Sequence, residues 1–321
     1  MILAKTPLRV PLAGGLSDLA PYAERFGGET LSVTIDKHVY VTVKDDLDGT
    51  FDVRYRDSHE RTDLAQRLRH DLLRESLALT GLTDRPLDVD FRVDLAGESG
   101  LGTSGALTVS ILHALRRLQG MRPDPWQLLQ EAARVEVEQL AGASGFHDPA
   151  ICALGGLRRL GYDGRDVRDL GLEPAPGAQE AFADALLLFY SGRHAKSKPS
   201  LDLLTSHLEE ALPVLHDIRA LVGELADAFA RGDLAGVARC VGEQQRLKQR
   251  LPGRFVDDEV ERLVASVRAT GAEAQLPGGK ISAFVLVVCP DGQQEAVRAA
   301  LSDLREVPVR PVDVGTRATE L

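Results

Sequence analysis

Residues 97–106, Gly-Glu-Ser-Gly-Leu-Gly-Thr-Ser-Gly-Ala, are where this chain is best equipped to do chemistry. Before them runs an alternating segment, with Leu87, Val89, Phe91, Val93 and Leu95 apolar and Asp88, Asp90, Arg92 and Asp94 polar. After them comes an apolar stripe at helical spacing, Leu107, Ile111, Leu115 and Leu118. Glycines at the mouth of a helix let backbone N–H groups turn outward, where unpaired donors and the helix dipole favour an anion. Thr103 and Ser104 add hydroxyls suited to a phosphate oxygen or Mg²⁺. The segment reads as a phosphate cradle, against the plainer alternative of a glycine-rich turn that only joins strand to helix.

Several nucleotide-binding classes use such loops, and the flanking sequence separates them. Gly100-x-Gly102-x-x-Gly105 matches the dinucleotide fingerprint formally. A Rossmann strand is buried on both faces, however, whereas 86–95 alternates, and the next pattern is a helix (126–141) rather than a second strand. A Walker loop requires Gly-Lys-Ser/Thr, and Gly279-Lys280-Ile281 fails at its last residue. The His-Arg-Asp and Asp-Phe-Gly of protein kinases are absent.

The loop resembles the second signature of the GHMP kinases, a Gly-Leu-Gly-Ser-Ser-Ala-like segment, and the likeness extends along the chain. Lys5 to Val10, Ala13-Gly14-Gly15-Leu16-Ser17-Asp18-Leu19, Gly27-Gly28 and Ser32 to Val41 are similar to the start of D-glycero-D-manno-heptose 7-phosphate kinases. Glu136 to Leu140, Gly145-Phe146-His147-Asp148, Gly155-Gly156, Phe189 to Gly192, Leu247-Lys248 and Phe284 to Pro290 follow in the same order. The resemblance implies an α+β fold of two domains, a ribosomal-S5-domain-2-like one over 1–170 and a ferredoxin-like one over 171–321, with the active site between them. It also implies ATP and Mg²⁺ and a sugar or sugar phosphate as acceptor. The reaction would phosphorylate an anomeric hydroxyl of the heptose 7-phosphate type. An octose 8-phosphate, an unphosphorylated sugar, or a non-catalytic sugar- and nucleotide-binding protein are the alternatives.

The resemblance assigns Gly97, Ser99, Gly100, Leu101, Gly102, Thr103, Ser104 and Gly105 to the nucleotide, and Gly14, Gly15 and Asp18 to the sugar. It assigns Ser104 and Glu136 to Mg²⁺, Asp148 to the role of base, and Arg9 to the transferring phosphate or the acceptor hydroxyl. Glu136 can also be weighed by geometry. At helical spacing it shares a stripe with Leu128, Ala132 and Leu140, where a carboxylate must be paired or bound to metal; a buried arginine salt bridge is the other option. Asp148 before Pro149 also suits a helix cap, Asp18 likewise, and Arg9 a strand-edge cation. His38 and Tyr40 read as strand residues. Phe146 and His147 stand where the heptose kinases tend to have Lys and Gln.

Two further segments matter. Arg193, His194, Lys196 and Lys198 lie close together after an apolar strand and could clamp a terminal phosphate of the sugar, against the alternative of solvated loop charge. The third GHMP signature, normally a long glycine run, is reduced to Gly278-Gly279 before Lys280, so either the lysine stands in for backbone donors or the chain is non-catalytic.

Bulk properties bound the rest. A net charge of −10 without a basic run makes nucleic acid or an anionic membrane an unexpected partner. Cys152, Cys240 and Cys289 are odd in number and widely spaced, which suits reduced cytoplasmic thiols better than disulfides or a zinc site; a monomer or homodimer is expected. Strands are expected at 2–12, 31–44, 51–56, 86–95, 184–190, 281–289 and 306–314. Helices are expected near 18–26 and over 61–80, 126–141, from 148, through 200–250, and over 257–270 and 291–304. The stretch 163–180 reads as a crossing between domains.

Overall fold

The structure is a computed structural model that describes every residue except 57, 96–98, 140–144, 165, 194–196, 254 and 280; for 138, 139 and 291 it describes the backbone alone. In chain order the elements are β1 (Ile2–Ala13), α1 (Ala20–Phe26), β2 (Gly28–Asp45), β3 (Phe51–Tyr55), β4 (Ser58–Thr62), α2 (Asp71–Thr80) and β5 (Leu87–Val93). Next come α3 (Thr103–Leu118), α4 (Pro125–Ala133), α5 (His147–Leu154), β6 (Leu157–Tyr162), β7 (Val167–Asp169), α6 (Ala178–Ala185) and β8 (Leu186–Tyr190). The remainder is α7 (Lys198–Ser206), α8 (Leu208–Arg231), α9 (Leu234–Gln249), α10 (Asp258–Arg268), β9 (Glu273–Gln275), β10 (Phe284–Val288), α11 (Gln294–Ala300), β11 (Arg305–Glu306) and β12 (Arg317–Glu320).

The strands form two sheets. One has the path β12-β1-β2-β5-β3-β4, with β6 and β7 branching from β2; the other has the order β11-β8-β10-β9. β5 buries Leu87, Val89 and Phe91 and leaves the alternate residues partly open, so it covers a core on one face only, as its alternation implies. Residues Gly105 to Leu115 of α3 are all buried, because that helix is enclosed by β1, β2, α2, α4 and α5. β10 is apolar throughout and buried on both faces: Phe284, Leu286 and Val288 meet the main core, and Val285 and Val287 a second one with Val260 and Val264 of α10.

Several elements differ from the sequence expectations. The helix expected over 61–80 starts only at Asp71, capped by His70 Nδ1, which accepts from Leu73 N at 3.2 Å; Ser58–Thr62 is a strand paired with β3. The strand expected over 306–314 is interrupted: Arg305 and Glu306 of β11 pair with β8, and Pro311 meets β2 only through an isolated bridge to Ile35, because Pro308 and Pro311 lack the N–H a ladder needs. The helix expected over 126–141 ends as an α-helix at Ala133 and continues as a π-helical turn over Arg134–Gln139. The stretch 163–180 contains β7 and the start of α6. Within the described residues, no helix is long and apolar enough to cross a membrane.

Candidate active site

The site starts on β1. Pro7 and Pro11 cannot donate to the ladder, and the β1–β2 register shifts beside each of them, between Pro7 and Arg9 and between Pro11 and Ala13. The first irregularity frees the Arg9 backbone N–H to donate to Leu101 O at 3.0 Å, which fastens the glycine loop to the strand. Gly100 and Gly102 have φ of +76° and +75°, and Gly102 precedes the first turn of α3. Ser99 is fully buried and braces the loop: its Oγ accepts from Leu101 N at 3.2 Å and bonds Thr103 Oγ1 at 2.9 Å. Its own carbonyl accepts from Ser282 Oγ at 2.5 Å. Gly97 lies outside the described residues. Ser99 is therefore a strut of the cradle, and the helix end with Thr103 and Ser104 is its open mouth.

Arg9 is 4% exposed and sits on an interior strand, so it is no strand-edge cation. Its Nε and Nη2 both donate to Asp148 Oδ1, at 3.0 and 2.5 Å, and its Nη1 donates to Gly100 O at 2.5 Å. Asp148 lies inside the first turn of α5, behind the cap residue Phe146, and makes no cap bond; its carboxylate turns to Arg9 instead. Burial alone would raise this carboxyl, but the Arg9 guanidinium outweighs burial and holds it below the usual range. Neither Arg9 bond uses Oδ2. Gly105 allows α3 to approach this turn, since a Cβ there would lie 2.6 Å from the Asp148 carbonyl carbon and the Pro149 nitrogen.

His147 is buried with Nε2 2.7 Å from Ser32 Oγ and Nδ1 3.4 Å from Asp148 Oδ1. Burial and the Arg9 charge push it down to about 3, so the imidazole is neutral and orients the carboxylate without pairing as an ion. Asp18 lies on the other side. Its Oδ1 accepts from Leu16 N at 3.2 Å and its Oδ2 from His147 N at 3.4 Å, and α1 takes no side-chain cap from it. Burial, and next the Asp148 charge, raise its carboxyl to about 6. Leu16 beside it holds φ +84°, a conformation costly for a branched side chain and the kind of strain that gathers at sites.

In the first turn of α3, Ser104 Oγ donates to Glu136 Oε2 at 2.8 Å. Glu136 is 5% exposed, and Oε1 is buried with no hydrogen-bond partner among the described residues. Burial raises its carboxyl to about 7, partly offset by the Ser104 bond. The buried arginine partner weighed from the sequence is not what meets it; a serine hydroxyl is. The π-helical turn carries the glutamate, a device often found where a helix must re-aim a side chain. A hydroxyl and an orphaned carboxylate oxygen form a hard, all-oxygen pair that fits a divalent cation completing its shell with substrate oxygens.

The opposite wall comes from α9 and the segment before β10, and the residue-type argument had missed most of it. Gln244 accepts from Gly14 N at 2.9 Å, which fixes the Gly14-Gly15 turn. Gln245 accepts from Leu276 N at 2.9 Å, and Gln275 donates to Pro11 O at 2.7 Å. Lys248 is 3% exposed and donates to the carbonyls of Leu276 and Gly278, the latter at 3.2 Å. Gly278 in turn packs on Gly100 of the loop. Arg9, Asp18, Asp148, Gln244, Lys248 and Gly278 thus line one pocket. Arg193 lies apart from this lining and reaches Asp257 and Glu259; Lys198 pairs with Asp202. His194, Lys196 and Lys280 lie outside the described residues.

A glycine-mouthed helix beside a buried Arg–Asp pair and a Ser–Glu couple defines a phosphoryl-handling protein, and residues 64–156, which hold the loop, Glu136 and Asp148, match the GHMP kinases N terminal domain. Over those residues the chain has a GHMP kinase N-terminal domain, and its fold is that of the GHMP kinases. It is 23% identical over 284 residues to the D-glycero-alpha-D-manno-heptose 7-phosphate kinase of Campylobacter jejuni, a match that covers 84% of each chain. Its fold is similar to that of a D-glycero-D-manno-heptose 1-phosphate kinase from Bacteroides thetaiotaomicron, with TM-score 0.82, 21% identity and coverage of 100% and 99% of the two chains. It is also similar to Streptococcus pneumoniae phosphomevalonate kinase, solved with phosphomevalonate and AMPPNP, with TM-score 0.80, 16% identity and coverage of 97% and 100%.

Proposed function

We propose that the chain is an ATP-dependent sugar kinase that phosphorylates the anomeric hydroxyl of a long-chain sugar phosphate of the heptose 7-phosphate type. The observation that carries this reading is the Asp148 carboxylate, held by Arg9 through one oxygen only, at the mouth of a phosphate-binding helix. The heptose kinases among its relatives support the acceptor class.

The loop N–H groups and the dipole of α3 receive the nucleotide phosphates. Ser104 and Glu136 would hold Mg²⁺, which when bound neutralises phosphate charge. Asp148 Oδ2 accepts the proton of the anomeric hydroxyl as its oxygen bonds to the γ-phosphorus and the bond to ADP breaks. A loose transition state demands little base strength, so a carboxylate kept acidic by Arg9 can still serve, chiefly by orienting the hydroxyl. Arg9 balances the charge that spreads over the transferring group. Asp18 and Gly15 line the acceptor side, with Gly14 held behind them by Gln244, and fixed acceptors there select hydroxyls.

The test is a coupled ADP-release assay with Mg²⁺ over heptose 7-phosphates, an octose 8-phosphate, the unphosphorylated sugars and mevalonate-type acceptors. Turnover with a sugar and none without acceptor is expected. Sugar-independent inertness combined with tight NADH binding would defeat the proposal.

A further inference from the structure

Among the described residues the pocket holds two cations, Arg9 and Lys248, and the Asp148 carboxylate, which Arg9 keeps below its usual range. Arg9 is neutralised by Asp148, whereas Lys248, equally buried, meets only the carbonyls of Leu276 and Gly278 and no carboxylate among the described residues. An ammonium has three donors, and two are spent on those carbonyls, which leaves one for the pocket that Lys248 lines. A buried charge is tolerated when paired, and the described residues supply Lys248 with no ionic partner.

We propose that Lys248 is an anion-binding residue of this pocket, whose remaining donor takes an oxygen of a substrate phosphoryl group. This rests on reading the cleft as a phosphoryl-transfer site and adds to it the residue that makes the acceptor side attract an anion. The ligand chemistry is a tetrahedral dianion, from either of two sources: the phosphate carried by the acceptor or the phosphate being transferred. Arg193, the cation expected from the sequence to clamp that phosphate, already holds Asp257 and Glu259, and Lys248 supplies instead a charge that pairs with no carboxylate among the described residues. Because the lysine also grips Gly278, which packs on Gly100, an anion drawn to it bears on the segment that supports the phosphate loop. Burial, and next the Arg9 charge, pull the ammonium down to about 7, and an anion held against it favours its protonated form.

The experiment is calorimetric titration of the full chain with inorganic sulfate and, separately, with AMPPNP and Mg²⁺. It uses the wild type, Lys248→Gln, Lys248→Met and Lys248→Arg, with a melting curve for each. The glutamine amide can still donate to a carbonyl, which keeps a folded comparator if the methionine variant does not fold. Sulfate should bind the wild type, weaken at least tenfold in Lys248→Gln, and recover in Lys248→Arg. If AMPPNP binds alongside sulfate and ignores the substitution, the anion is the acceptor's phosphate. If AMPPNP displaces sulfate and weakens with it, the anion is the transferring phosphate. A wild type that does not bind sulfate, or a glutamine variant that is less stable yet binds it equally well, overturns the proposal. None of these readouts needs turnover, so inertness towards every sugar would sink the kinase reading and leave this one to stand or fall on sulfate.

Discussion

Asp148→Asn separates a catalytic carboxylate from a structural one. The amide oxygen can occupy the place of Oδ1 and still accept from Arg9 Nε and Nη2, now 3.0 and 2.5 Å away, so the hydrogen-bond geometry survives. What is lost is the charge opposite a 4%-exposed guanidinium and the proton acceptor at Oδ2. The first loss turns charge-assisted bonds into ordinary ones, which for a pair that still sees solvent through the 27%-exposed aspartate should cost on the order of 1–2 kcal/mol of stability. The second should lower kcat by roughly 10²–10⁴-fold, the usual worth of a positioned base, or about 3–5 kcal/mol of barrier. Affinity for AMPPNP should change little, because the loop and α3 are untouched. Urea unfolding gives the first figure and the coupled assay the second. Near-wild-type turnover on the true acceptor, with the stability loss present, would show that the Arg9–Asp148 pair is scaffolding and that the hydroxyl is oriented by another group.

Other perturbations probe the remaining parts. Glu136→Gln should raise the Mg²⁺ concentration needed for half-maximal rate by tenfold or more, since it removes the orphaned carboxylate oxygen; an unchanged Mg²⁺ titration would exclude it as a ligand. His147 ionises near 3 when folded and near 6.5 when unfolded, so only the unfolded chain takes up that proton in between. Its stabilising contribution is full above pH 6.5 and shrinks as pH falls, by about 2 kcal/mol at pH 5. His147→Asn should therefore lose less stability than the wild type between pH 6.5 and 5 in urea titrations, and equal losses would contradict the neutral-imidazole assignment. Gly105→Ala places a methyl against α5 backbone that cannot swing aside, so it should destabilise by about 1–3 kcal/mol despite the better helix propensity of alanine. A more stable variant would mean that α5 can move.

The sequence carried the first half of the site unusually well because its signals are local. A one-sided strand, glycines at a helix mouth and Glu136 on a buried stripe are each legible within a dozen residues, and each has its structural counterpart in β5, Gly102 and the Ser104–Glu136 bond. Ser99 shows the limit of that reading: its residue type suits a phosphate contact, yet its hydroxyl is consumed inside the loop. Elements were misjudged where pairing outweighed pattern. Ser58–Thr62 has the composition of a helix start or a loop and becomes a strand only because Phe51–Tyr55 lies beside it, a contact no periodicity reveals. Likewise β12 reads as tail until it pairs with Ile2 to Lys5, more than 300 residues earlier.

The far wall of the pocket was invisible for a different reason, and it accounts for the shortened third glycine segment. A long glycine run can lie flat against a phosphate loop without help, since nothing projects from it. Here only Gly278 and Gly279 remain, and the backbone on either side must be held in place by other means. α9 provides them: Gln245 takes the Leu276 N–H, and Lys248 takes the Leu276 and Gly278 carbonyls. These polar groups sit on a buried helix face where sequence reasoning expects apolar residues, and their partners are backbone atoms some 30 residues away. The same helix holds the Gly14-Gly15 turn through Gln244. One element thus fixes both the support of the phosphate loop and the acceptor-side turn, so a substitution on α9 should disturb the two together, whereas a substitution in the glycine loop should disturb only the first.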